Sequence, residues 1–415
     1  QAEDGIRDES LRLVGSEMCI RDRGKSILRW ASRPQRAQKL MIDLNHRYAL
    51  DGSDPNSYGG LLWCLGQFDR PFPAGPIFGK VRQRSLSRHA QRLDMGRYAQ
   101  WVSTPQDAGI RSALVIGAGL SGLTAARTLQ DQGVEVTVVE KARGPGGRMS
   151  TRRDGDYRFD HGAQYFTARD PRFLRHLLGW QERGLVTRWD ARIAAISGDA
   201  IKPVGTSLDR YLPVPSMNQV CRELADEIDD CRFGWQAEKL QHDGTTWHAT
   251  SASGETLSAE ALIMTAPPDQ ARQLLQDPAV EDTLSAVEMK PCWALMAVID
   301  RPLLAEWDAG FVNHGPLSWV SGQASRPGRP AAHAWVLHAS PEWSLSHLED
   351  DPESVTRQLL EAARQLPGAS TFETIRCVAH RWRYALAAEP LDTGAIWFDS
   401  KQLAVAGDWC HGSRV

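Results

Sequence analysis

Residues 113–129 read ALVIGAGLSGLTAARTL. The apolar run Leu114-Val115-Ile116 predicts a buried strand, and the spacing from Leu120 to Leu129 predicts a helix. Between them lies Gly117-x-Gly119-x-x-Gly122, with Ala118, Leu120 and Ser121 completing the loop. Glycines allow a tight turn and close backbone approach to a pyrophosphate, and the helix N-terminus supplies unpaired N–H groups and the positive end of a dipole. A second strand, Val134–Val139, leads to Glu140, 18 residues past Gly122 and just before Lys141. A carboxylate there can accept both ribose hydroxyls, which argues against a 2′-phosphate at that point. Strand, loop, helix, strand and acid in this order predict a dinucleotide-binding domain.

Downstream comes a second glycine-rich loop, Gly144-Pro145-Gly146-Gly147-Arg148-Met149. Arg148 can offer a planar fork of donors to a cofactor. SAEALIMTAPPDQ predicts a strand at Ala261–Thr265, and Leu403–Ala406 predicts a late strand ending in Gly407-Asp408. Residues 276–394 read as alternating strands, an antiparallel sheet holding Trp293, Trp319, Trp335, Trp343 and Trp382. HExxH and Walker loops are absent, and no Ser-His-Asp arrangement is evident.

The 415 residues suffice for two or three domains. The composition, 42% hydrophobic and 24% charged, is that of a soluble globular protein. No apolar run reaches the roughly 18 residues needed to span a bilayer. Seven scattered cysteines form no CxxC and no metal-like cluster, so a cytoplasmic setting with reduced thiols and no metal is expected. Residues 24–110 carry 13 Lys/Arg against 6 Asp/Glu, whereas residues 111–415 carry 31 against 39. A basic segment ahead of an acidic body indicates two parts of different origin.

Residues 1–23 look like translated adaptor sequence or a disordered tail, and residues 104–111, TPQDAGIR, read as a linker. Residues 24–103 mix helical stretches with turn-rich loops. Gly59–Leu65 predicts a buried helix, and Lys80, Arg82, Arg84, Arg88, Arg92 and Arg97 form a basic string best read as a solvated helix face. LNHRY (44–48), LDG (50–52), DPN (54–56), Trp63 and FGKVR (78–82) resemble the C-terminal end of the flavin-binding helical domain of class II DNA photolyases. The resemblance implies that Asn45 lies near a flavin ring, but it covers only that family's last eighty or so residues. DNA is therefore not expected as a partner.

From 112 onward the motifs GGRMSTRR, DHGAQYFTARD, MKPCWAL, LSWV, PGRP, WVLHASPEWS, AHRWRYA and AGDWC occur in order. Together they resemble bacterial renalase-type proteins, FAD-dependent oxidoreductases of the amine-oxidase superfamily. The resemblance implies an α/β fold: a Rossmann-type FAD-binding domain (112–175, 215–275, 395–415) with an inserted, mainly antiparallel β substrate domain (176–214, 276–394). It implies FAD contacts from Gly117, Ala118, Gly119, Leu120, Ser121, Gly122, Glu140, Lys141, Gly147, Arg148, Met149, Gln164, Tyr165, Gly407 and Asp408. It further implies hydride transfer from a dihydronicotinamide isomer to flavin and then to dioxygen. Amine oxidation and a photolyase-related role are the alternatives. Catalysis is expected to be flavin-borne, with Trp293, Trp382 and Tyr384 near the pocket and His161, His338 and His380 as core or wall residues. A family helix is expected after Asp408, and the chain reads as cut short there, with weaker FAD retention expected.

Overall fold

The computed structural model describes residues 16–17, 109–205 and 209–412. The readings over 24–103, including the Gly59–Leu65 helix, Asn45 and the basic string, lie outside the described residues. Contacts divide the chain into residues 1–26 with 111–415, and residues 27–110; only the first unit is described below.

The run around Leu114 forms the strand Ser112–Ile116, at the centre of a six-stranded sheet. The spatial order is Asp230–Phe233, Glu135–Glu140, Ser112–Ile116, Ala261–Met264, Leu403–Ala406 and Ala395–Phe398. All pairings are parallel except the last, where Ala395–Phe398 turns back on Leu403–Ala406. Parallel strands buried on both faces must be near-continuously apolar, as ALIM at 261–264 is. The helix Leu120–Asp131 follows the central strand and buries Leu120, Leu123, Ala126 and Leu129. A three-stranded antiparallel meander, Ala237–His242, Trp247–Ser251 and Thr256–Ala259, covers part of this layer through Trp247 and Ala249.

The second large sheet has seven strands. Its order is Thr374–Ala387, Met289–Ile299, Ala334–Ala339, Leu317–Gly322, Ala309–Val312, Ile193–Ser197 and Ala200–Pro203. It is antiparallel apart from Ala309–Val312 against Ile193–Ser197. One face packs Trp293, Leu295, Ala297 and Ile299 against the helix Pro352–Arg364. The other packs Met296 and Val298 against Phe159 of the hairpin Thr151–Asp154/Tyr157–Asp160. The alternation of one long strand therefore separates a helix-covered face from a hairpin-covered face.

The expectation of strands alone over 276–394 needs correcting. Helices Pro278–Leu284, Pro341–Ser346 and Pro352–Arg364 interrupt them. Each starts with a capping Asp or Ser directly before a proline: Asp277, Ser340 and Asp351 all accept first-turn N–H groups. In the longest, Val355, Leu359, Leu360 and Ala363 fall on one buried face. No helix among the described residues is long and apolar enough to cross a membrane.

Candidate functional site

The glycine loop meets its sequence reading in detail. Gly117 sits at φ +108°, where L side chains are strained. A Cβ on Gly122 would collide with the Gly117 carbonyl and approach the Thr265 hydroxyl to 2.9 Å. That hydroxyl donates to the Ile116 carbonyl at 2.8 Å, locking the strand end under the helix. Gly119 is different: a Cβ there meets nothing within 4 Å, and no side chain caps the helix it begins. No side chain therefore takes the first-turn N–H groups, and there is room beside Gly119, the conditions a pyrophosphate needs.

The second glycine loop closes over the first. Gly146 N–H donates to the Ala118 carbonyl at 2.9 Å, and Gly147, at φ +53°, would carry a Cβ 3.5 Å from the Gly119 Cα. Glu140 accepts from Ala118 N–H at 2.9 Å and Ala142 N–H at 2.8 Å. A carboxylate has about four acceptor positions, so capacity for ribose hydroxyls remains. Open backbone donors, two converging glycine loops and an acid at the strand end fit a dinucleotide flavin.

Arg148 binds Asp408 by two parallel contacts, Nη1 to Oδ2 at 2.9 Å and Nη2 to Oδ1, and also donates to the Ala385 carbonyl at 3.1 Å. Gly407 precedes Asp408 because a Cβ there would run into the buried Trp409 indole. Ala163 N–H donates to the Arg148 carbonyl at 2.9 Å, and a Cβ on Gly162 would collide with that same carbonyl. The DHGAQ segment is thereby laid directly on the GGR loop.

Three sequence assignments change. The Gln164 side chain is fully buried and committed: its amide nitrogen donates to the Asp160 and Gly162 carbonyls, and its oxygen accepts from Arg326 at 2.7 Å and Trp319 at 3.3 Å. Tyr165 is buried between Trp189 and Trp319 under the Arg210 guanidinium. Both side chains serve the interior rather than a cofactor. Trp293 pairs in register with Arg381, on the helix-covered face, and its indole N–H donates to the His347 carbonyl at 2.9 Å. It faces away from Trp382. Leu120 and Met149 are buried, so only their backbones are placed for cofactor contact, and exposed Lys141 bonds Gln270. Ser121 stands half-buried in the helix's first turn.

Trp382 lies on the opposite, hairpin-covered face, and Tyr384 follows it in a stretch where the ladder's register shifts. In register, His380 and His338 flank Ala294, so both imidazoles project to that side. His161 closes the group: its ring lies 4.9 Å from His380 and 5.0 Å from Trp382. Its carbonyl accepts from the Trp382 indole and from His338 Nε2, both at 3.0 Å. Accepting by a carbonyl requires the proton on His338 Nε2, which fixes that tautomer. Burial, then the neighbouring His380, pushes His161 down to about 3. Burial pushes His338 down to about 4, and His380 is lowered by burial and by Arg152. The wall is therefore a set of neutral rings at ordinary pH.

Beneath it lies a charge cluster that sequence reading missed. Asp160 accepts from Arg329 at 2.6 Å, Arg326 at 3.3 Å and Thr151 at 2.5 Å; both ion pairs are buried and Thr151 is half-buried. Burial alone would raise Asp160, but Arg326 and Arg329 outweigh it and hold the carboxyl below its usual range. No local pattern signals this cluster, because Asp160 and Arg326 are 166 residues apart.

The structure also forms a Ser-His-Asp chain where the sequence reading found none. Asp243 Oδ2 lies 3.1 Å from His248 Nε2, and His248 Nδ1 lies 2.8 Å from Ser258 Oγ. It sits on the exposed face of the meander, with Asp243 and His248 side chains 52% and 37% exposed. Such an open face lacks the water exclusion that makes the arrangement nucleophilic.

Residues 197–414 match the family model for flavin containing amine oxidoreductases, and residues 115–178 match an NAD(P)-binding Rossmann-like domain. Cyclohexylamine oxidase from Brevibacterium oxydans IH-35A shares the fold, with a TM-score of 0.55 at 14% identity over 73% of this chain and 95% of that one. A deoxyribodipyrimidine photo-lyase from Methanothermobacter thermautotrophicus is 49% identical over 68 residues, 16% of this chain and 15% of that enzyme. A phytoene desaturase from Rhodobacter capsulatus is 48% identical over 76 residues, 18% of this chain and 14% of that enzyme. The chain thus spans about a seventh of these curated relatives. With just over half of its length in the first model, the chain belongs to the flavin containing amine oxidoreductase family, and its cofactor is FAD.

Proposed function

We propose that this member of the flavin containing amine oxidoreductase family takes a hydride from a small planar donor, a dihydronicotinamide isomer of the kind renalase-type enzymes oxidise, with dioxygen as final acceptor. The observation that carries this reading is the neutral wall of His161, His380 and Trp382, whose rings lie within about 5 Å of one another beside Gly162 and Arg148. Bound FAD supplies the two-electron redox chemistry. The protein's share is binding and exclusion of water. Gly119 and Gly147 admit the pyrophosphate, Glu140 takes ribose hydroxyls, and the Arg148–Asp408 pair fixes the loop beside the ring. Trp382 and His380 offer uncharged ring faces against which the flat dihydropyridine ring of the donor can lie. Hydride loss from a dihydronicotinamide needs no general base, which suits imidazoles that burial makes too weakly basic to take up a proton. Residues 24–103 are read as a segment appended to this oxidoreductase.

Anaerobic mixing tests the reading. Dihydronicotinamide isomers reduced at C2 or C6 should bleach the flavin absorbance within seconds, and admitting air should restore it. Bleaching by cyclohexylamine or putrescine alone would assign the site to amines.

A further inference from the structure

After the strand Leu317–Gly322 and the short turn Gln323–Ser325, the chain runs on through Arg326, Pro327, Gly328, Arg329 and Pro330. Pro327, Gly328 and Pro330 are exposed, yet the Arg326 and Arg329 side chains are each only 2% exposed. A surface strap thus sends two guanidiniums into the interior. Burying two cations against one carboxylate, Asp160, is unfavourable, and apolar side chains of similar volume often hold such a strap as well or better. What a guanidinium adds is a rigid, planar fork of donors.

Both forks grip one short segment, 158–164. Arg329 donates through Nη1 to the Arg158 carbonyl at 2.7 Å, through Nη2 to Asp160 at 2.6 Å and through Nε to the Pro215 carbonyl at 2.6 Å. Arg326 donates to the main-chain and side-chain oxygens of Gln164, both at 2.7 Å. Gln323, in the turn before the strap, accepts from Asp160 N–H at 3.1 Å. The Gln164 amide, held by Arg326, in turn donates to the Asp160 and Gly162 carbonyls. The residues on both sides of His161 are therefore tied at their main-chain oxygens, and the peptide between them has little freedom to turn. That peptide carries the His161 carbonyl, which accepts from Trp382 and from His338.

We propose that Arg329, supported by Arg326, is a positioning residue of the ring wall: it sets the direction of the His161 carbonyl, and with it the seat of the Trp382 indole and the tautomer of His338. No hydrogen bond or ring contact joins Arg329 to Trp382 among the described residues, so the influence travels through 158–164. The wall's importance for turnover rests on the donor class proposed above. The hydrogen bond from Trp382 to His161 does not, so failure of that reading and failure of this one are separable. A role confined to stability would leave this bond as it is in any variant that still folds.

The test reads the bond directly, as the indole N–H resonance of Trp382 in the holoenzyme carrying 15N-labelled tryptophan, assigned by its loss in Trp382→Phe. In Arg329→Lys the charge opposite Asp160 is kept, but a compact ammonium cannot reproduce the fork to Asp160 and the Arg158 and Pro215 carbonyls. The Trp382 indole proton should move upfield and exchange with solvent about tenfold faster. Arg329→Gln should shift it further in the same direction; if that variant does not fold, Arg329→Lys decides. Val355→Ala, in the helix-covered core on the far face of the sheet, should lower Tm and leave the resonance in place. A folded Arg329→Lys protein with lowered Tm and the Trp382 resonance at its wild-type position and exchange rate overturns the proposal.

Discussion

The Arg148 guanidinium and the Asp408 carboxylate, 260 residues apart in the chain, meet in a two-point ion pair, with Nη1 to Oδ2 at 2.9 Å. The pair joins the second glycine loop to the end of the last parallel strand, and the Ala385 carbonyl adds the end of the longest strand of the second sheet. Three segments beside the proposed flavin ring are thus held by one guanidinium. Asp408→Asn preserves shape but removes charge, and Arg148→Ala removes the fork. Each should raise the FAD dissociation constant about tenfold to hundredfold, measured by fluorescence titration of apoprotein. The double variant should be hardly worse than the weaker-binding single one, because both remove one interaction. Fully additive losses would mean that each residue acts independently.

Two glycines of the first loop should fail in opposite ways. Gly119→Ala places a methyl in open space, so folding and Tm of the apoprotein should change little while FAD affinity drops at least tenfold. Gly122→Ala drives a methyl into the Gly117 carbonyl and the Thr265 hydroxyl, and should cost about 1–3 kcal/mol of stability. Thermal unfolding of the two apoproteins separates the cases.

The extent to which the sequence was readable follows the range of the forces involved. The Leu114 strand, the Leu120 helix, the Glu140 terminus and the Leu403 strand are local patterns of apolarity and turn chemistry, and each is found where the pattern puts it. The helix Pro352–Arg364 is also locally encoded, by Asp351-Pro352 and the apolar face from Val355 to Ala363, but the strand-rich sequence on either side masks that pattern. Gln164 and Tyr165 could not be placed from the chain alone. Whether their side chains face a cofactor or the interior depends on Arg326 and Trp319, more than 150 residues away. For Trp293 and Trp382 the deciding fact is register. One lies opposite Arg381 and the other opposite Cys292, so neighbouring rungs of the same ladder face opposite ways.

Register supplies the third prediction. Trp382→Phe loses the indole donor to the His161 carbonyl and part of the ring wall, so it should raise KM for the hydride donor several-fold and shift the flavin absorption bands. Trp293→Phe leaves a gap against the helix-covered face and strips the His347 carbonyl of its partner. It should lower stability by about 2 kcal/mol and leave the flavin spectrum and KM unchanged. Equal kinetic effects would contradict the assignment of the two faces.

The neutral imidazoles predict an acid-side loss of stability with a definite sign. His161 and His338 titrate near 3 and 4 in the folded protein, against 6.5 when unperturbed. Between those limits the unfolded chain binds protons that the native state refuses, so stability falls as pH drops below about 6.5. Once the native rings also protonate, near 4 and then 3, their contribution to the loss stops. His380, lowered by burial and Arg152, acts in the same direction. Asp160 acts in a lower window: its carboxyl is held below 3.8, so its contribution disappears only as pH falls through that depressed value. At pH 5 each of the two buried imidazoles should have cost ~2 kcal/mol relative to a pH well above 6.5, or ~4 kcal/mol together. Urea unfolding of the holoenzyme from pH 8 to pH 5, at fixed free FAD, measures this. His338→Gln, whose amide can still donate to the His161 carbonyl, should reduce the pH slope by close to one proton. A slope that the substitution leaves untouched would show that His338 is protonated, and hence solvated, in the native site.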